Sequence, residues 1–121
     1  VYYENIKYRE RAPMGYQQLS LTPDYRAGFD INVTSPDNEI AAFATMWYDE
    51  VNRIGMLEPV GTIPEYRRMG LGRAGILQLV TQAQEAGVRR VYVGSGQHFY
   101  RRLGFEPRVL YGVWEKSIPE R

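Results

Sequence analysis

The stretch that most constrains the fold runs from residue 58 to residue 72, Glu-Pro-Val-Gly-Thr-Ile-Pro-Glu-Tyr-Arg-Arg-Met-Gly-Leu-Gly. It predicts a strand, a short basic loop and the first turn of a helix, and no proline interrupts residues 71–86. Apolar residues then recur at spacings of three and four, which is typical of an amphipathic helix. They are Ala74, Leu77, Val80 and Ala83, with Ile76 beside them. Gly87 stands where a glycine commonly ends a helix.

A strand that enters a glycine loop at a helix N-terminus favours the binding of an anion. The first backbone N–H groups of the helix have no partner within it, and the helix dipole attracts negative charge. Gly70 and Gly72 have no Cβ atom, so a phosphate can approach the backbone closely. Arg67, Arg68 and Arg73 add positive charge around the same point. The sequence therefore predicts a phosphate-binding loop.

Two motifs resemble those of a known family. The spacing Arg67-x-x-Gly70-x-Gly72 is similar to the acyl-CoA pyrophosphate signature of the GCN5-related N-acetyltransferases (the GNAT family), and Pro64 precedes it as a proline often does there. Residues 99–105, Phe-Tyr-Arg-Arg-Leu-Gly-Phe, resemble a later motif of that family, a helix that carries a tyrosine and ends in Gly-Phe. The two motifs come in the family's order, and the resemblance covers roughly residues 30–116.

The pattern of apolar residues predicts an α/β fold with a mixed, mostly antiparallel sheet, which is the GNAT arrangement. Three strands are expected as an antiparallel meander, at residues 29–34, 40–48 and 54–62. A strand at residues 90–93 follows the long helix, and a helical crossover makes it parallel to the third strand. The last elements are expected to be a short helix at residues 97–103, ended by Gly104, and a strand at residues 108–116.

The domain organisation is expected to be one GNAT-like domain over residues 1–121. Residues 29–116 would form the acyl-CoA-binding core, and residues 1–28 an N-terminal arm or partial helices, with a short helix or irregular arm at residues 1–11. The family's fold normally begins with a strand and one or two helices. Only about 29 residues precede the first clear strand and the first residue is Val1, so that beginning is expected to be short or missing.

Composition excludes several classes of function. The chain is 44% hydrophobic and 24% charged, as expected of a globular protein, and it has neither an apolar run near 18 residues nor a signal-peptide pattern. Cysteine is absent and His98 is the only histidine, so no metal site is expected. A net charge of +1 gives no argument for a nucleic-acid partner. The expectation is a cytoplasmic protein that binds neither membrane nor nucleic acid. Whether it forms a homodimer is left open.

The resemblance implies an acetyltransferase that moves an acetyl group from acetyl-CoA to a small-molecule or peptide amine, by direct attack in a ternary complex. A backbone N–H of Val60 or Gly61 is expected to polarise the thioester carbonyl, with Gly61 permitting a bulge that frees it. The residues expected to bind the co-substrate are Val60, Gly61, Thr62, Arg67, Arg68, Met69, Gly70, Leu71, Gly72 and Arg73. The alternatives are a non-catalytic CoA-binding or regulatory module, which could belong to a longer protein, and a purely structural domain.

Two side chains are candidates for proton transfer. Glu58 is the candidate base, since a carboxyl group among apolar neighbours on a buried strand would have a raised pKa. The alternative is an ion pair with Arg53 or Arg26. Tyr100 matches the family's tyrosine near the CoA sulfur and is the candidate acid, with a core aromatic as the alternative.

The acceptor pocket is expected across the sheet from the loop, and this sequence does not name the acceptor. Four aromatic residues are candidates for its lining, and each could equally be a core residue: Trp47, Tyr48, Tyr111 and Trp114.

Overall fold

The structure is a computed structural model, and it describes residues 14–120. Its helices are α1 (residues 14–19 in the described part), α2 (Leu71–Glu85) and α3 (His98–Arg102). Its strands are β1 (Asp30–Thr34), β2 (Ile40–Asp49), β3 (Ile54–Thr62) and β4 (Arg90–Tyr92). Short 3-10 turns occupy Ala27–Phe29 and Pro64–Tyr66. The arm or helix predicted for residues 1–11 lies outside the described residues.

The four strands form one mixed sheet in the order β1-β2-β3-β4, which confirms the predicted fold class. The pairs β1–β2 and β2–β3 are antiparallel, and β3–β4 is parallel. β4 pairs with β3 only over Ile54–Met56. From Leu57 to Thr62, β3 therefore has no β4 partner, and among residues 14–120 no other strand pairs with that edge, which is open there.

Helix α2 packs across β1, β2 and β3, and its buried side chains join those of β2 and β3 in one hydrophobic core. Ile76, Leu79 and Ala83 have no exposed surface. The predicted period is correct, and Ile76, Val80 and Ala83 face the core as expected, but Ala74 and Leu77 face solvent. Gly75 lies against the sheet instead, where an added Cβ would meet the Val33 side chain at 3.4 Å.

Both predicted helix-ending glycines are confirmed. Gly87 has φ 90°, and the N–H of Val88 donates to the carbonyl of Ala83 at 2.9 Å. Gly104 has φ 91°, and the N–H of Phe105 donates to the carbonyl of Tyr100 at 3.1 Å. Each glycine thus closes a six-to-one capping bond that satisfies a carbonyl of the last turn.

The strand predicted at residues 108–116 is wrong, since residues 105–120 contain neither helix nor strand. Its apolar side chains are almost fully exposed, with Trp114 at 95%. Alternating apolar residues favour a strand only where a neighbouring strand completes the backbone hydrogen bonds. No such partner exists among residues 14–120. Within the same residues, no helix is long and apolar enough to cross a membrane.

Candidate acyl-CoA site

The loop between β3 and α2 has an unusual backbone. Arg68 and Gly70 have left-handed conformations, with φ 63° and 79°. The first bond of α2 runs from the N–H of Ala74 to the carbonyl of Gly70, at 3.0 Å. The six N–H groups of residues 68–73 make no hydrogen bond within the described part of the chain. Consecutive free N–H groups around left-handed residues form a concave site for an anion.

A cavity of about 780 Å³ opens over this loop, between the end of β3, the first turn of α2 and α3. Nine of the ten residues predicted to bind the co-substrate line it. Met69 is the exception, and its side chain is 65% exposed to solvent. The sequence analysis missed five lining residues, namely Tyr66, Gln97, Phe99, Arg102 and Leu103. Three of these, Phe99, Arg102 and Leu103, flank Tyr100 in the second motif, so the helical spacing of that motif was a usable signal.

Among the residues that the structure describes, those lining the cavity carry only positive side-chain charge. Arg67, Arg68, Arg73 and Arg102 line it, and no acidic residue does. The Nε of Arg67 donates to the carbonyl of Thr62 at 3.3 Å, which holds that side chain against the end of β3. The Nε of Arg102 donates to Nε2 of His98, at 3.1 Å. Four arginines and six free N–H groups suit a ligand with several phosphate groups.

Gly70 and Gly72 line the cavity, and each position requires glycine for a different physical reason. At Gly70 an added Cβ would meet nothing within 4 Å, so the left-handed φ is what requires glycine there. At Gly72 an added Cβ would lie 3.1 Å from Oγ1 of Thr62 and 3.4 Å from the Phe99 ring. Gly72 therefore allows α2 to approach the end of β3 and α3.

The prediction that Gly61 forms a bulge is wrong. Gly61 keeps regular register with Phe43, and an added Cβ would lie 2.5 Å from that ring. The register shift lies earlier, between Ala44 and Met46, opposite the Glu58–Pro59 pair of β3. Even without a bulge, the open edge of β3 leaves a backbone N–H group without a partner in the sheet. Because successive N–H groups of a strand point to opposite edges, one of the pair Val60 and Gly61 points to the open side.

Tyr100 lines the cavity and is 9% exposed. It packs edge-on against Phe99 and Phe105, with ring centroids 5.1 and 5.8 Å apart. Its hydroxyl makes no hydrogen bond within the described residues. Burial raises the pKa of Tyr100 above its usual value. The group is therefore a protonated donor at neutral pH.

Glu58 does not have the environment expected of it. Its side chain is exposed, so the argument from a buried carboxyl is wrong. The alternative is also wrong, since Arg26 pairs with Glu50 at 3.6 Å and no ion pair to Glu58 occurs in residues 14–120. Glu58 shares a face of β3 with Met56, which is exposed as well. It is a free carboxylate on the strand that leads into the cavity.

A second cavity, of about 430 Å³, lies at the other end of β3. Trp47 and Tyr48 line it, in accord with two of the residues considered for an acceptor pocket. Tyr111 and Trp114 belong to the exposed C-terminal segment and do not line it.

The sequence matches one family model, described as the acetyltransferase (GNAT) family, over residues 3–105. The chain belongs to the GNAT family. That membership accounts for the mixed sheet with its open edge at β3 and for the glycine loop before α2. No curated protein sequence gives a significant match. Among the described residues of this GNAT chain, no three His, Cys, Asp or Glu side chains are grouped as a metal site would require.

Solved structures agree with the GNAT assignment, and 61 chains match significantly. Nourseothricin acetyltransferase is 28% identical, with a TM-score of 0.58 over 67% of this chain and 49% of its own. A putative acetyltransferase from Agrobacterium tumefaciens str. C58 is 19% identical, with a TM-score of 0.71 over 88% and 79%. Rv2747 from Mycobacterium tuberculosis, in complex with CoA, is 21% identical, with a TM-score of 0.59 over 69% and 51%. This chain thus spans about half the length of nourseothricin acetyltransferase and Rv2747.

Proposed function

We propose that this protein is an acyl-CoA-dependent N-acyltransferase, which moves an acetyl group from acetyl-CoA to an amine by direct attack in a ternary complex. The observation that carries the proposal is the larger cavity. It connects the free N–H groups of residues 68–73 to the hydroxyl of Tyr100 and to the open edge of β3. Membership of the GNAT family and the CoA complex of Rv2747 support the same donor.

The residues around the loop fit the phosphates of acetyl-CoA. The N–H groups of residues 68–73 would donate to the pyrophosphate, and Arg68, Arg73 and Arg102 would neutralise its charge. The open edge of β3 would accept the extended, amide-containing arm as a further strand partner, since its backbone groups have no neighbour there. When bound, acetyl-CoA supplies the acetyl group as a thioester.

The transfer needs one bond made, one broken and two proton movements. The amine nitrogen attacks the carbonyl carbon, a C–N bond forms and the C–S bond breaks. The carboxylate of Glu58 takes the proton from the amine, directly or through one water, and the hydroxyl of Tyr100 gives a proton to the departing sulfur. The N–H of Val60 or Gly61 at the open edge donates to the carbonyl oxygen, which can lower the barrier by about 2.7–4 kcal/mol.

The proposal is tested in two steps. Acetyl-CoA at one hundred times its dissociation constant should stabilise the fold by about 2.7 kcal/mol, which thermal unfolding measures. A panel of amines is then scored by release of free thiol from acetyl-CoA. Stabilisation without thiol release from any amine would support the CoA-binding module instead, and no stabilisation would leave only a structural domain.

Replacement of Glu58 by glutamine should lower kcat by about 10²-fold, because the amide cannot accept the proton. Affinity for CoA should stay within a few-fold, since Glu58 does not line the larger cavity. Glu85→Gln, an exposed carboxylate at the end of α2, is the matched control and should behave as wild type. A Glu58→Gln enzyme with the kcat of the wild type would remove Glu58 from the reaction.

A further inference from the structure

The smaller cavity is placed to hold the acceptor. It is bordered by Met56, two residues before Glu58 on β3, whereas the larger cavity begins at Val60, two residues after Glu58. Two residues of a strand span about 7 Å, so the candidate base, which lines neither cavity, lies between them along β3. A molecule in the smaller cavity would therefore approach the acetyl group of acetyl-CoA from the opposite end of β3. This inference rests on the proposed acetyl transfer.

The wall of this cavity is a fixed aromatic surface. Trp47 and Met56 are register partners, and both are partly exposed although they are large and apolar. The edge of the Tyr25 ring packs against Trp47, with centroids 6.4 Å apart. Tyr25 is itself held by Asp30, to which its hydroxyl donates at 2.8 Å. That bond is the main reason why the pKa of Tyr25 is raised to about 12, so Tyr25 keeps its proton and its bond to Asp30 at neutral pH.

The hydrogen bonds of Asp30 also connect Tyr25 to the sheet. The same Asp30 carboxylate accepts a hydrogen bond from Oγ1 of Thr45 at 3.0 Å, and Thr45 is 1% exposed. Thr45 lies at the register shift of β2, opposite Glu58 and Pro59. The Asp30 carboxylate therefore helps to position both the ring of Trp47, through Tyr25, and the backbone beside Glu58, through Thr45.

The charges around the smaller cavity are opposite in sign to those of the larger one. Asp24, Asp49 and Glu50 line it with a single cation, Arg26. Glu50 is paired with Arg26, and hydrogen bonds from Asn52 hold the pKa of Asp49 below its usual value. The carboxylate of Asp24 has no hydrogen bond or ion pair in the described part of the chain. The cavity thus combines an aromatic wall, which attracts cations, with two carboxylates that no arginine neutralises.

We propose that the smaller cavity binds the acceptor, and that the acceptor is an amine carrying a second positive charge, held by Trp47 and the carboxylate of Asp24. The apolar stem between the two nitrogens lies along Met56. One nitrogen reaches toward Glu58 as the free amine and is acetylated, and the other stays charged in the cavity. A monoamine of the same length lacks the charge that the cavity recognises.

The first experiment compares α,ω-diamines with monoamines of equal chain length as acceptors. The wild-type enzyme should show a lower KM for the diamines. Asp24→Asn should raise the KM of the diamines by about fivefold, leaving kcat and the KM of the monoamines unchanged, because only the distal charge loses a partner. Asp37→Asn, an exposed carboxylate in the turn between β1 and β2, is the control and should change neither KM. Equal KM values for the two amine classes in the wild type, or equal shifts in Asp24→Asn, would overturn the proposal.

A second experiment measures the binding of amines in the absence of turnover. In a Trp114→Phe background, Trp47 is the one tryptophan left, so its fluorescence reports on the smaller cavity. Diamines should change this emission at lower concentration than monoamines, and Asp24→Asn should remove the difference. A response of Trp47 without acetylation would reject the proposed transfer but keep the cavity assignment. Acetylation of diamines without any response of Trp47 would keep the transfer and reject the cavity, and the absence of both would reject both.

Discussion

Tyr100→Phe is expected to lower kcat by about 10²–10⁴-fold while CoA affinity changes little. The variant keeps the ring, whose packing against Phe99 and Phe105 fixes its position beside the cavity, and removes only the hydroxyl. That hydroxyl matters mostly in the transition state, where the sulfur gains negative charge. Steady-state kinetics with a verified amine, together with calorimetric titration of CoA, separate the two effects.

The dependence on the leaving group distinguishes proton donation from packing. A less basic thiol needs less help in leaving, so the defect of Tyr100→Phe should shrink with a more activated thioester. If Tyr100 were only a core aromatic, the substitution would be almost silent in both rate and stability. Wild-type kcat in the variant would exclude Tyr100 from the chemistry and leave the phosphate-binding loop unaffected.

Gly70→Ala is expected to weaken CoA binding on the order of 10²-fold, which corresponds to the loss of one or two hydrogen bonds to a charged group. Alanine is strained at φ 79°, so the backbone would move out of the left-handed region and turn its N–H groups away from the common centre. Calorimetric titration gives the dissociation constant, and urea unfolding gives the accompanying loss of stability.

The chain offers a matched control for this prediction. Gly87 is also left-handed, with φ 90°, and an added Cβ there meets nothing within 4 Å. It ends α2 at the opposite end from the cavity, so Gly87→Ala should lose a similar stability, about 1 kcal/mol, without any effect on CoA affinity. Equal affinities in the two variants would show that the loop conformation is not what binds the phosphates.

The parts of the site that the sequence predicted depend on local backbone chemistry. Free N–H groups in the first turn of a helix and a glycine that closes its cap are determined within a few residues. Gly87 and Gly104 could therefore be interpreted from their neighbours, whereas the left-handed φ of Gly70, 79°, was not predicted. The strand–loop–helix order and the parallel β4 followed from the same local patterns and from the rules for crossover connections.

The predictions that failed depend on contacts between distant segments. The ring of Phe43 on β2 explains why residue 61 is glycine, and no pattern within β3 contains that information. On α2, Gly75 rather than Ala74 faces β1, with an added Cβ 3.4 Å from the Val33 side chain, and a helical period alone does not decide between those two neighbours. Glu58 is exposed because no described element covers that face of β3 at its position. The segment after α3 has the composition of a strand but no neighbour to pair with among the described residues.

The short pairing of β4 divides β3 into two halves with different exchange behaviour. Over Ile54–Met56 the strand has neighbours on both sides, so its amide protons should exchange with deuterated solvent only when the sheet opens. From Leu57 onward, every second amide faces the open edge and should exchange at nearly the rate of an unstructured peptide. A ligand lying in that opening would slow those amides selectively, so a deuterium-uptake map of one strand would report the occupancy of the site without a label or a turnover assay.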